Sequence, residues 1–289
     1  MTERLTYTNE RGDSVEFSTQ SVFHTNHVTG LSDTRNQVFT IQSMGQDGDT
    51  YVGGRIAQRE IEITGSIREP DKEKAFWLRR RLTHVINPQL AATLTYRFGD
   101  TVRVIDCHPD NAPSFSRPAV LLGFSVSLTC PNPFWRDAGE SAEQIAEWRG
   151  AWEFPFEIPI DTGMEFGHRA PSLIATVVNR GDVRAGMRVE FRAVGPLTDP
   201  SLLNINTREF IKLNCSMVAG DVITVTTHFG RKGVRLRRGG VESDAFQLID
   251  PDSTYLLLDI GINQFRYDAG SNLNNLEVTI FYNNQYLGV

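Results

Sequence analysis

The sequence predicts a mainly β protein of two domains, with one packed helix in the first and an antiparallel β-sandwich as the second. Three observations carry this. Residues 71–86 hold the one strong helical pattern. From Pro171 onward, short apolar runs alternate with Gly, Asn and Asp turns and show no helical period. Between the halves, residues 129–137 read Thr-Cys-Pro-Asn-Pro-Phe-Trp-Arg-Asp. Two prolines one residue apart cannot sit inside a central strand, because each lacks a backbone donor. That stretch is therefore a rigid, aromatic-anchored exit from one β unit towards another. A chain of 289 residues accommodates two domains of ordinary size.

Taken in order, residues 1–43 read as short strands between polar turns. Val15 and Phe17 alternate, as do Val38 (less cleanly with Phe39) and Ile41. Residues 44–54 form a glycine-rich loop, the tip of a long hairpin. A calcium loop on Asp47 and Asp49 is disfavoured, since Gln58 stands where the bidentate acid would be needed. Residues 55–67 read as one strand, with Ile61, Ile63 and Ile67 on one face and Glu60, Glu62 and Thr64 on the other.

The helix over 71–86 is capped by Asp71 and stopped by Asn87-Pro88. Ala75, Leu78, Leu82, Val85 and Ile86 share its apolar face. Trp77 falls on the opposite side with Arg80, Arg81 and His84. A tryptophan on a polar helix face points to a partner surface, or to a covering loop of the same domain. A hairpin follows over 94–104, turning at Gly99-Asp100. Pro109, Pro113 and Pro118 bracket an irregular loop, and residues 119–128 form the last strand before the exit.

After the exit, residues 141–152 are expected as a short helix or linker, with Ile145, Trp148 and Trp152 at helical spacing. Residues 153–160, Glu-Phe-Pro-Phe-Glu-Ile-Pro-Ile, form an extended strap, because proline forces it. The domains are placed at 1–166 and 167–289. Strands of the second are expected at 173–178, 187–193, 210–215, 222–227, 234–236, 255–260, 263–267 and 276–282. Residues 231–238 hold five basic side chains in eight. Val234 and Leu236 alternate with the charges, which fits a solvated hairpin better than an anion site.

Composition limits the function classes. The net charge is −6 and the pI about 5.6, so there is no general pull towards nucleic acid. Residues 1–166 hold 16 basic against 23 acidic side chains, net −7; the remainder is at +1. No apolar run approaches the roughly 18 residues of a membrane helix. The start, Met1-Thr-Glu-Arg, lacks a signal core, so synthesis and retention in a cytosol are expected. Three widely spaced cysteines, Cys107, Cys130 and Cys215, do not suggest a disulfide framework.

The sequence contains no nucleophile elbow, P-loop, His-Glu-x-x-His or Cys-x-x-Cys. His24 and His27 with Cys107 and His108 lack zinc-ligand spacing. Nothing marks a triad among His24, His27, His84, His108, His168 and His228. The second domain has no tryptophan to stack on a sugar. No catalytic residue, cofactor or metal is therefore assigned. The suspected subunit or domain contacts are Trp77, Phe134, Trp135, Trp148 and Trp152, with Trp135 also expected to anchor the core at the corner.

Several segments in this order resemble the phage distal tail protein family, the adaptors between tail tube and baseplate of siphophages. They are the glycine loop followed by Arg-Glu-Ile-Glu-Ile-Thr-Gly-Ser-Ile at 59–67; the helix; the exit Cys-Pro-Asn-Pro-Phe-Trp-Arg-Asp at 130–137; and Phe-Pro-Phe at 154–156. Asn-Arg-Gly-Asp at 179–182, Leu-Asp-Ile-Gly-Ile-Asn at 258–263 and Val-Thr-Ile-Phe-Tyr at 278–282 complete the set. The resemblance implies a tail-tube-like N-terminal β domain, then a galectin-like sandwich without room for an inserted carbohydrate-binding module. It implies a virion tail protein, assembled in the host cytoplasm, that forms a hexameric ring around the tail channel and carries no catalytic residues. The implied partners are its own copies, the tail tube protein, the tail-tip hub or tail-associated protein, and receptor-binding or baseplate proteins, with DNA only passing through. The competing readings are a carbohydrate-binding sandwich module of a tail or cell-wall-associated protein, and a β-rich glycan hydrolase.

Overall fold

The computed structural model of the chain describes residues 2–116, 122–145, 148–150, 167–169 and 174–289. It divides into two compact units. One is Met1–Ala138 with Gln285–Val289, and the other is Gly139–Asn284. The boundary expected at 166/167 falls at the edge of residues outside the described set.

The elements of the first unit are β1 (Arg4–Asn9), β2 (Ser14–Ser18), β3 (Phe23–Thr29), β4 (Asn36–Ile41), β5 (Thr50–Ile56), β6 (Arg59–Ile67), α1 (Lys72–Val85), β7 (Ala92–Phe98), β8 (Thr101–Pro109), β9 (Ser114–Ser116), β10 (Leu122–Cys130) and β11 (Trp135–Asp137). The second unit has β12 (Ser141–Gln144), β13 (Trp148–Gly150), β14 (Gly167–Arg169), β15 (Ile174–Asn179), β16 (Met187–Ala193), β17 (Leu197–Thr198), β18 (Ser201–Asn204) and β19 (Phe210–Lys212). It continues with β20 (Ser216–Met217), β21 (Val222–Thr226), β22 (Gly233–Arg238), β23 (Val241–Asp244), β24 (Gly261–Asp268) and β25 (Leu276–Tyr282). The chain then returns to the first unit with β26 (Gln285–Tyr286).

In the first unit the strands run β26-β11-β8-β7-β1-β2-β3-β6-β10-β9, and β10 also pairs with β8. That extra pairing, Leu128 opposite Pro109 and Thr129 opposite His108, closes a seven-stranded barrel from β8 round to β10. Closure satisfies strand edges that would otherwise invite association. β1 and β6 alternate as a barrel wall requires: Leu5, Tyr7, Ile61 and Ile63 point inward, while Glu60 and Glu62 face solvent. Phe17, Phe23 and Phe124 pack ring to ring at 5.6–6.3 Å between centroids. Gly65 is needed beside them, since a Cβ there would stand 2.3 Å from the His24 carbonyl and 2.4 Å from the Phe124 ring.

Helix α1 is capped by Asp71, whose carboxylate accepts from the Glu73 amide at 2.9 Å. Leu82, Val85 and the C-cap residue Ile86 bury on the barrel core. The Asn9 side-chain amide donates to the Val85 carbonyl at 3.1 Å, so β1 satisfies one carbonyl of the helix end.

The second unit is a sandwich. One sheet runs β12-β25-β16-β21-β22-β23, and the other β15-β24-β18-β19. Val189, Phe191, Val225, Val278 and Ile280 from the first meet Val177, Leu202, Ile211, Phe265 and Tyr267 from the second in one core.

Four expectations are corrected. Residues 55–67 are two strands: the chain bends at Ala57-Gln58, where the Ala57 amide bonds to the Arg35 carbonyl at 2.9 Å, so β5 pairs with β4 and β6 joins the barrel. Ser141–Gln144 is a strand and not a helix, because pairing along the edge of β25 outweighs a short helical spacing. The last barrel strand extends to Cys130, so the corner begins at Pro131. Residues 255–260 form no strand. Leu256 and Leu258 bury their side chains, but the backbone makes one bridge, Ala185 to Leu258. The strap at 153–160 lies outside the described residues.

Candidate subunit interface

Among the described residues the hairpin β4–β5 is a two-stranded sheet with no third strand. All six residues of β4 are exposed, so neither face is packed. Val38, Phe39, Ile41, Tyr51 and Val52 stand in solvent, with Tyr51 at 64% and Met44 fully bare at the tip. Local bonds shape that tip. Thr40 Oγ1 donates to Asp49 at 2.8 Å, the Gln46 amide bonds to the Ser43 carbonyl at 3.1 Å, and Gly45 and Gly48 take the left-handed conformation. Arg55 bonds across to Gln37 at 2.9 Å. An isolated two-stranded hairpin is marginal in water, and one with apolar side chains on both faces calls for a covering partner.

A second bare patch lies on α1. Trp77 is 63% exposed, as the helical spacing predicts, and Phe76 lies beside it. Lys74, Arg80, Arg81 and His84 surround them, all exposed. Arg79 instead stacks over the Phe115 ring, 4.8 Å from its centroid.

The exit corner is spent inside the first unit. Trp135 is fully buried, donates from its indole to the Leu31 carbonyl at 2.9 Å, and meets Tyr96 edge-on. It leaves no ring surface for a neighbour. Phe134 is half-buried. The Trp148 backbone belongs to β13, with its side chain outside the described residues, as is the whole of Trp152.

The corner is organised by Arg59, a residue that sequence reasoning quoted without giving it a role. It is 3% exposed. Its guanidinium donates to the carbonyls of Pro133 at 2.7 Å, Gly30 at 2.7 Å and Leu31 at 3.1 Å, to Thr34 Oγ1 at 3.4 Å, and to the Leu287 carbonyl. Burial lowers its pKa, and the nearby Cys130 and Asp33 oppose that. One cation thus ties the corner, the loop after β3 and the C-terminal segment together. Gly30 fits there because its φ is +84° and a Cβ would fall 2.0 Å from the Glu60 carbonyl oxygen. Ser32 and Thr34 donate to the Val289 and Leu287 carbonyls at 3.0 and 2.9 Å, and Arg103 lies over the Tyr286 ring.

The residues considered for chemistry are dispersed. Among the described residues no group of three His, Cys, Asp or Glu is placed to hold a metal. His24 Nδ1 is engaged with the Thr19 carbonyl at 3.0 Å. Burial pushes the Cys130 thiol up to about 12 and the Cys107 thiol further still, leaving both protonated at neutral pH. A groove of about 440 Å³ beside Arg59 is lined by Asp33, Glu60, Glu62 and Asp110, interleaved with Arg35 and Arg59. In the second unit the basic run is a hairpin with ion pairs: Arg238 to Asp221 at 2.6 Å and Arg235 to Glu242 at 3.2 Å. No helix of the described chain is long and apolar enough to cross a membrane.

Comparison with known proteins gives these elements a context. No curated protein matches the chain. The crystal structure of phage SPP1 Dit, described as a paradigm of the hub adsorption apparatus in phages infecting Gram-positive hosts, superposes with a TM-score of 0.69 at 13% identity. It covers 97% of this chain and 98% of that one. Chains of the phage p2 baseplate in its activated conformation match at TM-scores of 0.56, with Ca, and 0.53, with Sr. Their identities are 12% and 11%, with all of this chain and 100% and 99% of theirs covered. At these identities the likeness is one of fold. Sequence-family models match in the same order as the two units: the phage tail protein RIFT-related domain over residues 10–130, and the C-terminal domain of the siphovirus-type tail component over 180–286. The chain therefore belongs to the siphovirus-type tail component family, the phage distal tail proteins, and is a structural part of the phage tail and baseplate.

Proposed function

We propose that this chain is the ring-forming adaptor of its tail. Six copies close head to tail, join the tail tube to the tail-tip hub, and hold receptor-binding or other baseplate proteins at the periphery. The observation that carries the reading is the bare apolar surface of the first unit, on β4–β5 and on the outer face of α1. Surface of this kind is ordinarily buried in an obligate contact. A heterologous contact repeated about an axis closes a ring. The adaptor needs no chemistry of its own, and its tail-tube-like first domain (1–166) and galectin-like second domain (167–289) divide the work between ring and periphery.

The net charge of −7 on residues 1–166 suits a channel wall along which DNA slides without sticking. The carbohydrate-module reading gains little support. Among the described residues of the second unit no Tyr or Trp ring is exposed, and the bare rings are Phe229 and Phe246. Electron microscopy of the purified protein tests the proposal: six-fold rings with an open, net acidic channel are expected. Single particles of monomer size at every concentration would overturn the ring, and a basic channel wall would overturn the sliding surface.

A further inference from the structure

The hairpin and the helix differ in charge as well as sharing apolar character. The tip over residues 44–51 carries Asp47 and Asp49 and no basic residue. Helix α1 carries Lys72, Lys74, Arg79, Arg80 and Arg81 against one acid, Glu73. Among the described residues Asp47, Asp49, Arg80 and Arg81 make no ion pair. Met44 and Tyr51 on one side, and Phe76 and Trp77 on the other, stay bare within a single copy. The hairpin therefore does not cover the helix of its own chain.

We propose that the acidic, apolar tip of the β4–β5 hairpin docks on the basic, aromatic outer face of α1 in the next copy. This rests on the ring reading above and names the contact that closes it. Trp77 supplies the apolar anchor, as buried tryptophans do at interfaces. The charges add little affinity as exposed pairs, but they steer approach and reject tip-to-tip and helix-to-helix encounters. Donor and receiver surfaces are different, so each copy gives one contact and takes one, which is the condition for head-to-tail closure.

Sedimentation velocity on the full chain at moderate salt tests this. The variants Asp47→Lys/Asp49→Lys and Arg80→Asp/Arg81→Asp should each raise the concentration for half-assembly by about tenfold or more. An equimolar mixture of the two should assemble nearly as the wild type does, because reversed tip meets reversed helix in an alternating ring of even number. Raising salt should weaken wild-type assembly, since screening shortens the reach of exposed charges. Thermal melts check that these exposed substitutions leave the fold intact, with a melting temperature near the wild type expected, and Asp47→Asn/Asp49→Asn should give a milder effect in the same direction. Rings unaffected by either reversal would overturn this contact and leave the ring standing. Impaired variants that do not rescue each other would also overturn it. A wild-type chain that never assembles would overturn both contact and ring.

Discussion

Replacing Arg59 by methionine keeps most of the side-chain bulk and removes every hydrogen bond that the guanidinium makes. Five acceptors lose a bond: the carbonyls of Gly30, Leu31, Pro133 and Leu287, and Thr34 Oγ1; Leu31 keeps the Trp135 indole and Leu287 keeps Thr34 Oγ1. Bonds to a charged group contribute about 1.5–3 kcal/mol each, so a plain sum would overshoot. The guanidinium was itself desolvated at a cost of several kcal/mol, and its removal recovers that. What remains is the penalty of leaving the Gly30 and Pro133 carbonyls without the Arg59 donor, about 1–3 kcal/mol each. A net loss of roughly 3–5 kcal/mol follows, which for a unit of this size lowers the melting temperature by roughly 6–20 °C. Calorimetry reads the first number. Carboxypeptidase digestion reads a second consequence, because residues 285–289 lose one of their ties and should be trimmed faster. Arg59→Lys should lose nearly as much, since an ammonium cannot present a planar fork to carbonyls on several sides. A loss under about 1 kcal/mol with no change in trimming would refute the assignment of Arg59 as the tie at the corner.

Trp135→Ala should cost about 3–5 kcal/mol of stability, as a buried ring in a packed corner. Trp77→Ala should leave the melt within about 1 kcal/mol but weaken assembly; equal effects of the two on both properties would refute that division. Asp71→Ala should cost about 1 kcal/mol through loss of the helix cap, read by chemical denaturation. Cys107 and Cys130 should resist alkylation in the folded chain at pH 8 and react on unfolding, and rapid labelling would contradict their burial. The same thiols set an alkaline limit. Their folded pKa lies above the ordinary value near 9, so their contribution is complete below pH 9 and is lost as pH rises towards about 12 for Cys130, with Cys107 titrating still higher. Stability measured across that window should fall with rising pH.

Residue pattern made visible whatever local periodicity dictates. The helix was legible because Asp71 caps it, Asn87-Pro88 stops it, and its apolar residues recur at 3.6. β16 and β25 were legible to the residue because both alternate cleanly. Short pairings were hidden. β17, β18, β20, β23 and β26 run two to four residues, too few for a period to show, and exist because a neighbouring strand offers an edge. Ser141–Gln144 looked helical for the same reason: its partner β25 lies far along the chain.

The candidate interface was half legible. Trp77 on a polar face was a direct signal. Val38, Phe39 and Ile41 read as an ordinary half-buried strand, since alternation says that a face is apolar but not what covers it. Arg59 sat in a quoted motif, yet nothing local announces that a basic residue will be buried. Its partners at positions 30–34, 133 and 287 converge only in the fold.

Hydrogen exchange compared between dilute monomer and assembled protein reads which surface the copies use. Assembly is expected to slow exchange in the amides of β4–β5, residues 36–56, and of α1, residues 72–85, while the strands of the second unit change little. Slowing confined to the second unit, with the hairpin still exchanging as in the monomer, would contradict that expectation.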